Sequence, residues 1–419
     1  MKKIIIIIRK YLNGGLERQV VNLSNEFAEI GYSVDIVAFK GVYSNQFYGI
    51  HKNVNVRLVS FNERNKSIQY IDTSNSQNQS DSLENIGNSA VNQNGDKSTS
   101  RRNIINRKLR KTAIWLWEYS ALMRRVNIRR DKFYRKYFRE AKPDFVISFD
   151  LNNFGRALFG TKGLKCKLFD AEMNAHQKTI PQDRVGKRYY YGLLKKADGI
   201  IVQTQSEKEY FEKYSKNVYV INNPIRPDLP FPYEGIRKKV IVNFCRIAPQ
   251  KNLDLLLDAF QKFHYEYPDY VLKIYGYTNN QEEFDYKNNL INKIRNMKMN
   301  GFVFILPSET DVHKKILDSA MFVSSSDYEG LSNSMLEAMA IGLPCVCTDC
   351  LGGGTREVMI DHENGLIVPM NSPDAMYLSM KEYVENPELA EKCSRNAAKI
   401  KDRLSAERIV KQWIEVLEG

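Results

Sequence analysis

Two carboxylates, Glu329 and Glu337, enclose the seven residues Gly330-Leu331-Ser332-Asn333-Ser334-Met335-Leu336, shortly after the apolar run 322–325. A strand, a glycine turn and an apolar helix in that order predict a loop at the carboxyl end of a sheet. Helix N-termini there present unpaired N–H groups and a positive dipole to phosphate. Either Ser332 or Asn333 suits the N-cap, so a diphosphate fits against the first turn. Glu329 precedes the helix and Glu337 lies in its second turn, an arrangement that puts them at opposite ends of one elongated ligand. A solvated helical Glu337 is the plain alternative. Arg246 and Lys251 follow another strand-like run, in Phe244-Cys245-Arg246-Ile247-Ala248-Pro249-Gln250-Lys251-Asn252. A forked guanidinium and a compact ammonium suit phosphate oxygens, although a surface cation taken singly is more often solvated. Gly14 and Gly15 let a ligand approach bare backbone and equally make an ordinary turn; they do not form G-x-G-x-x-G, so a dinucleotide fingerprint is absent. Cys345, Cys347 and Cys350 lack the His or second Cys pair of a tetrahedral metal set and read as a buried strand, so no metal ligands are expected.

Such loops need strands to carry them. The 419 residues suit two or three domains. Residues 4–8 are a continuous apolar run, the mark of a strand buried on both faces. Val20, Leu23, Phe27 and Ile30 recur at helical spacing before Gly31, and 33–39 resumes a strand, giving a β-α-β opening. Further strand-like runs at 144–149, 167–171, 199–203 and 218–221 continue an α/β pattern. Pro224, Pro227, Pro230 and Pro232 then forbid helix or inner strand and mark a linker. Beyond it the alternation restarts at 240–244, 271–275, 302–306, 322–325, 345–348 and 366–368. The expected organisation is an N-terminal domain of 1–223, a C-terminal domain of 224–405 and a last amphipathic helix, 406–419, packing across the interface. Asn, Ser and Gln supply 16 of the 29 residues in 72–100, too polar to offset the entropy of ordering. A mobile insertion is therefore expected over about 62–110.

The formal charge is +13, from 62 Lys and Arg against 49 Asp and Glu. It is concentrated in 101–142, where fifteen basic residues face Glu118, Asp131 and Glu140. The remainder is close to neutral, which argues against a surface that coats nucleic acid. Within this basic segment Ile114, Trp115, Trp117, Leu122, Val126, Phe133, Tyr137 and Phe138 mix with Arg124, Arg125, Arg129, Arg130, Arg135 and Lys136. That amphipathic composition suits an anionic membrane surface; stacking on nucleic-acid bases by Trp115, Trp117, Phe133, Tyr134 and Tyr137 is the rival. No apolar run reaches the length of a membrane span. The run after Lys2 and Lys3 is shorter than a secretory core, and six cysteines are too few for a disulfide framework. A cytoplasmic protein, peripheral at the inner face of the membrane, is expected.

The Glu329–Glu337 pair, set in Ser-Ser-Asp-Tyr-Glu-Gly-Leu-Ser-Asn-Ser, closely resembles the E-x7-E motif of retaining GT-B glycosyltransferases of family four. Gly14-Gly15-Leu16-Glu17 resembles their N-terminal glycine loop and Arg246 to Lys251 their R-x4-K phosphate clamp. Thr348-Asp349-Cys350, Gly352-Gly353 and Arg356-Glu357 resemble the segment that follows the E-x7-E helix. Only about 60–140 goes unmatched, and the tail is similar to the branch that builds bacterial capsule, exopolysaccharide or O-antigen. The resemblance implies two Rossmann-like doubly wound α/β domains with a cleft between them. It implies transfer of a hexose or N-acetylhexosamine, with retention, from a nucleotide sugar, UDP-linked, to a saccharide acceptor that is lipid-linked. Carried over, Glu329 meets the donor sugar, Glu337 the ribose, and Arg246 and Lys251 the diphosphate, with no cofactor and no metal. Gly15, Gly330, Leu331, Ser332 and Asn333 complete the donor side. Where relatives read Glu-His-Asn, this chain has Glu172-Met173-Asn174, leaving Glu172, Asn174 and the nearby His176 for the sugar side. A catalytically inactive saccharide-binding or partner subunit is the alternative that Met173 favours and the intact Glu329, Glu337, Arg246 and Lys251 oppose; transfer to a protein or other soluble acceptor is another.

Overall fold

The computed structural model describes residues 1–9, 15–38, 49–62, 67–72, 121–149, 151–181 and 183–419. Asn13 and Gly14, the polar stretch 73–100 and the basic residues 101–120, with Ile114, Trp115 and Trp117, lie outside the described residues. So do the side chains of 121–130, including Arg124, Arg125, Arg129 and Arg130.

The first sheet is built from β1 (Lys3–Ile8), β2 (Ser33–Ala38), β3 (Val54–Asn62), β4 (Ser67–Asp72), β5 (Phe145–Ser148), β6 (Lys167–Glu172), β7 (Gly199–Val202) and β8 (Val218–Val220), in the order β4-β3-β2-β1-β5-β6-β7-β8. Neighbours are parallel except β3 and β4. Ile4 to Ile8 have no exposed surface, as their unbroken run demands, and each fully buried side chain of this size contributes about 1.5–3 kcal/mol. Helices α1 (Gly15–Glu29), α2 (Ala121–Ala141), α3 (Leu151–Thr161), α4 (His176–Thr179), α5 (Arg184–Leu194) and α6 (Gln205–Phe211) accompany this sheet. The sequence reading missed β3, and β4 occupies part of the stretch expected as an insertion.

Residues 222–237 run without helix or regular strand to the second sheet. Its strands are β9 (Lys238–Arg246), β10 (Val271–Tyr277), β11 (Val303–Pro307), β12 (Ser319–Ser324), β13 (Cys345–Thr348) and β14 (Leu366–Val368), all parallel, in the order β11-β10-β9-β12-β13-β14. This is the doubly wound order with its reversal between β9 and β12, the place where such sheets open a ligand crevice. Around it lie α7 (Leu253–Glu266), α8 (Gln281–Asn296), α9 (Val312–Ile316), α10 (Asn333–Ala340), α11 (Gly354–Val358), α12 (Pro373–Glu385), α13 (Pro387–Ala398) and α14 (Ile400–Arg403). The last helix, α15 (Ala406–Glu418), returns to the first domain and packs on α1. Trp413 meets Phe27 edge-on and Phe149 at a tilt, with centroids 6.4 and 6.2 Å apart, and Lys2 pairs with Glu418 at 2.7 Å. The architecture is α/β with two Rossmann-like domains, as the sequence resemblance implied.

The basic segment needs a correction. Tyr134 and Phe138, one turn apart on α2, are fully buried and share a core cluster with Ile5, Ile7, Val146 and Phe154. Phe133 and Tyr137 stack with ring planes 2° apart, and the Tyr137 hydroxyl donates to Asp35 at 2.5 Å. These aromatics fill the domain's own interior instead of facing a lipid surface or nucleic-acid bases; among the described side chains of the helix, Lys132, Lys136 and Arg139 are exposed cations.

Candidate active site

The crevice at the β9/β12 reversal is lined by the expected residues, each held by a neighbour. Arg246 ends β9. Its guanidinium donates to Glu283 at 3.0 Å and to the Gln250 side-chain oxygen at 3.2 Å. Glu283, buried in the first turn of α8, also accepts from the Asn279 backbone N–H at 2.6 Å, which fixes the position of the arginine's partner. Lys251 closes the short turn Pro249–Lys251 and donates to Glu329 Oε1. Burial works against its charge, but the Glu329 carboxylate outweighs that and holds the ammonium above its ordinary range. Ser326 Oγ reaches the same oxygen at 2.9 Å and Gln250 reaches Oε2 at 3.3 Å. Glu329 is therefore an anchored carboxylate, 9% exposed.

The loop around it is fixed at backbone level. The Glu329 N–H donates to Leu351 O at 2.9 Å, and the Asp327 N–H to Gln250 O at 3.0 Å. A Cβ on Gly330 would collide with the Met173 carbonyl of the other domain, so glycine is what lets the two domains meet here. Gly352, at a φ of +97°, lies against the Glu329 carbonyl in the same way.

Glu337, in α10, is buried with both oxygens engaged. His313 Nε2 lies 2.9 Å from Oε2, and Arg18 of α1 donates to Oε1. Burial opposes the charge; Arg18 and then His313 overcome it and hold the carboxyl below its usual range. Ser332 occupies the N-cap of α10, as one of the two expectations had it, but its hydroxyl does not cap; it pairs with the Ser334 hydroxyl at 3.2 Å. Asn333 instead ties the domains together. Its Oδ1 accepts from Gln19 and from Asn223, both at 2.9 Å, and its Nδ2 donates to Gly15 O at 3.3 Å. Leu331 is buried, and its N–H donates to Gln203 Oε1 at 2.8 Å.

The three residues expected on the sugar side come to the same rim but are differently employed. Glu172, at the end of β6, is buried and accepts from the Tyr190 hydroxyl at 2.7 Å. That hydrogen bond ties its carboxylate to α5. Asn174 is exposed. His176 Nδ1 lies 2.9 Å from Glu207 Oε1, and its ring stacks on Tyr210 at 3.5 Å. Burial pushes Glu207 up to about 7, against the pull of the His176 backbone N–H, and lowers His176. The three clustered cysteines sit in and after β13, buried; burial pushes Cys350 up to about 11.

Sequence reasoning missed Arg18, Gln19, Gln203, Asn223, Glu283 and His313. Arg18 follows Gly14-Gly15-Leu16-Glu17 directly, a usable signal. His313 carried none, because a lone histidine in a short helix is legible only once α9 is seen beside α10.

The chain is similar to known proteins in sequence and fold. Residues 232–400 match the family model of glycosyl transferases group 1. An uncharacterized glycosyltransferase of Haemophilus influenzae is 28% identical over 52% of this chain and 61% of its own length. The amylovoran biosynthesis glycosyltransferase AmsD of Erwinia amylovora is 24% identical over 67% of this chain and 80% of its own. A crystal structure of an S. aureus TarM mutant, in complex with fondaparinux, alpha-GlcNAc-glycerol and UDP, superposes over 100% of both chains with a TM-score of 0.72 at 16% identity. The expected resemblance agrees with the family match over residues 232–400, and the two-domain fold is shared with the TarM structure.

Proposed function

We propose that the protein is a retaining glycosyltransferase that moves a hexose or N-acetylhexosamine from a UDP-linked donor to a lipid-linked saccharide acceptor during synthesis of a bacterial surface polysaccharide. The observation that carries this reading is the placement of Glu329 and Glu337 on either side of the α10 N-terminus, each anchored by a cation. Glu329 binds donor-sugar hydroxyls and Glu337 ribose hydroxyls. Arg246, Lys251 and the first turn of α10 take the diphosphate between them. As the glycosidic bond breaks, charge accumulates on the departing diphosphate, and preorganised cations and N–H groups stabilise it where it forms; no metal is needed in that scheme. The UDP in the TarM complex supports the donor class, and the amylovoran biosynthesis named for AmsD supports the biosynthetic setting. Docking on an anionic membrane would bring the acceptor cleft to its lipid-linked substrate, with the exposed Lys132, Lys136 and Arg139 providing the attraction. Incubation with a panel of nucleotide sugars tests the whole reading: one UDP-sugar should release UDP in the presence of chelator. Absence of nucleotide release across the panel, with and without saccharide acceptors, favours an inactive binding subunit instead.

A further inference from the structure

The start of α1 meets the first two turns of α10 across the cleft. Arg18 donates to Glu337 Oε1, and its chain neighbour Gln19 donates to Asn333 Oδ1 at 2.9 Å. Residues 333 and 337 are one turn apart and share a helix face, so two adjacent side chains of one domain meet one face of a helix in the other. The Arg18 side chain is 24% exposed while that of Glu337 is 7% exposed. A carboxylate this deep needs ionic or hydrogen-bonding partners to stay charged. His313 supports it from within its own domain, but an imidazole carries charge only when protonated. Arg226 acts on the carboxylate through its field, but the permanent cation that hydrogen-bonds to it comes from across the cleft. A carboxylate has about four acceptor positions, so Arg18 and His313 leave room for two further donors, the number that a ribose diol supplies.

We infer that Arg18 is a positioning residue for the donor nucleotide: it holds and orients Glu337 from the opposite domain, so that ribose recognition is complete only when the two domains are together. This rests on the donor reading of Glu337 given above. Arg18 acts through Glu337 and leaves the diphosphate to Arg246 and Lys251. Loss of Arg18 is therefore felt equally by every ligand that carries the ribose.

Calorimetry with UDP and with uridine on the full chain tests this, using Arg18→Gln, Arg18→Lys, Glu337→Gln and the double variant Arg18→Gln/Glu337→Gln. Arg18→Gln should weaken both ligands about tenfold, the size of a lost hydrogen bond to a charged group. Arg18→Lys should recover part of that loss, and the double variant should bind no more weakly than Glu337→Gln alone. In turnover assays the donor KM of Arg18→Gln should rise with kcat little changed. The inference is overturned if Arg18→Gln binds UDP as tightly as the unmutated protein. It is equally overturned if UDP weakens but uridine does not, which would place Arg18 on the phosphates, or if Arg18→Gln costs as much again in the Glu337→Gln background. If Glu337→Gln itself leaves UDP and uridine binding intact, the donor reading of Glu337 fails first and takes this inference with it.

Discussion

At the scale of single residues, the two carboxylates differ in their partners, and their variants should differ accordingly. Glu329 is held by Lys251 and Ser326 within one domain, whereas Glu337 is shared between His313 and Arg18 of two domains. Glu329→Gln is expected to lower kcat with modest change in UDP affinity, because its ligand is the reacting sugar. Glu337→Gln is expected to weaken UDP by about 1–3 kcal/mol through lost ribose hydrogen bonds. Steady-state kinetics with the identified donor, together with UDP calorimetry, separate the two; unaltered kinetics in both variants would remove these residues from the site. Glu207 makes a second residue-scale case. Its carboxyl is pushed up to about 7 by burial, against an ordinary value of 4.5. A raised acid favours the folded state while protonated, so its contribution is full below about 4.5 and is lost as pH rises through about 7. Glu207→Gln keeps an acceptor for His176 and removes the titration. The stability of the unmutated protein relative to this variant should fall between pH 4.5 and 8, as read from urea unfolding across that range. A difference that stays flat with pH would show that the group is not held protonated.

Among the elements, α15 carries an amphipathic stripe that predicts packing across an interface, but the helix it packs on, α1, lies at the other end of the chain. Its stripe of Ile409, Val410, Trp413 and Leu417 is buried against the first domain although it follows the second. Trp413 is 3% exposed and lies between Phe27 and Phe149. Trp413→Ala should therefore cost about 3–5 kcal/mol, measured by urea denaturation. A loss below about 1 kcal/mol would mean that the helix detaches readily from α1. The helix α2 makes the complementary point. Its aromatics were legible as an apolar stripe, but a stripe packs equally well on lipid or on a sheet, and the adjoining β1, β5 and α3 occupy it first.

For the molecule as a whole, the two sheets meet through polar contacts around Gln203, Asn223, Asn333 and Gly330, and α15 spans back from one domain to the other. Membrane docking, proposed above, belongs to this scale because it concerns the net field of one face. Each basic residue near anionic lipid adds about 1 kcal/mol of attraction, decaying within a Debye length. The protein should float with anionic but not neutral vesicles at low salt. It should lose that binding in high salt and in a Lys132→Glu, Lys136→Glu, Arg139→Glu variant. If the unmutated protein ignores anionic vesicles at low salt, a soluble acceptor becomes the better reading.

Periodicity alone determined the α/β class, because buried parallel strands must be continuous apolar runs and Ile4 to Ile8 or Val271 to Tyr275 can be little else. The spacing of Glu329 and Glu337, with Arg246 and Lys251 after a separate strand, determined the candidate site, because helix N-termini and strand ends are local features written in glycines, caps and charge. Tertiary structure decided the rest. The pairing of β3 with an antiparallel β4, the return of α15 to α1 and the inward turn of Phe138 all depend on which surfaces remain uncovered once the sheet forms. The assignment of Glu172 to Tyr190 and of His176 to Glu207 followed from burial, which drives most buried polar groups to find a partner. Arg18 and Glu337, 319 positions apart, share a hydrogen bond only because two domains close on one another, and no local pattern in either segment encodes that distance.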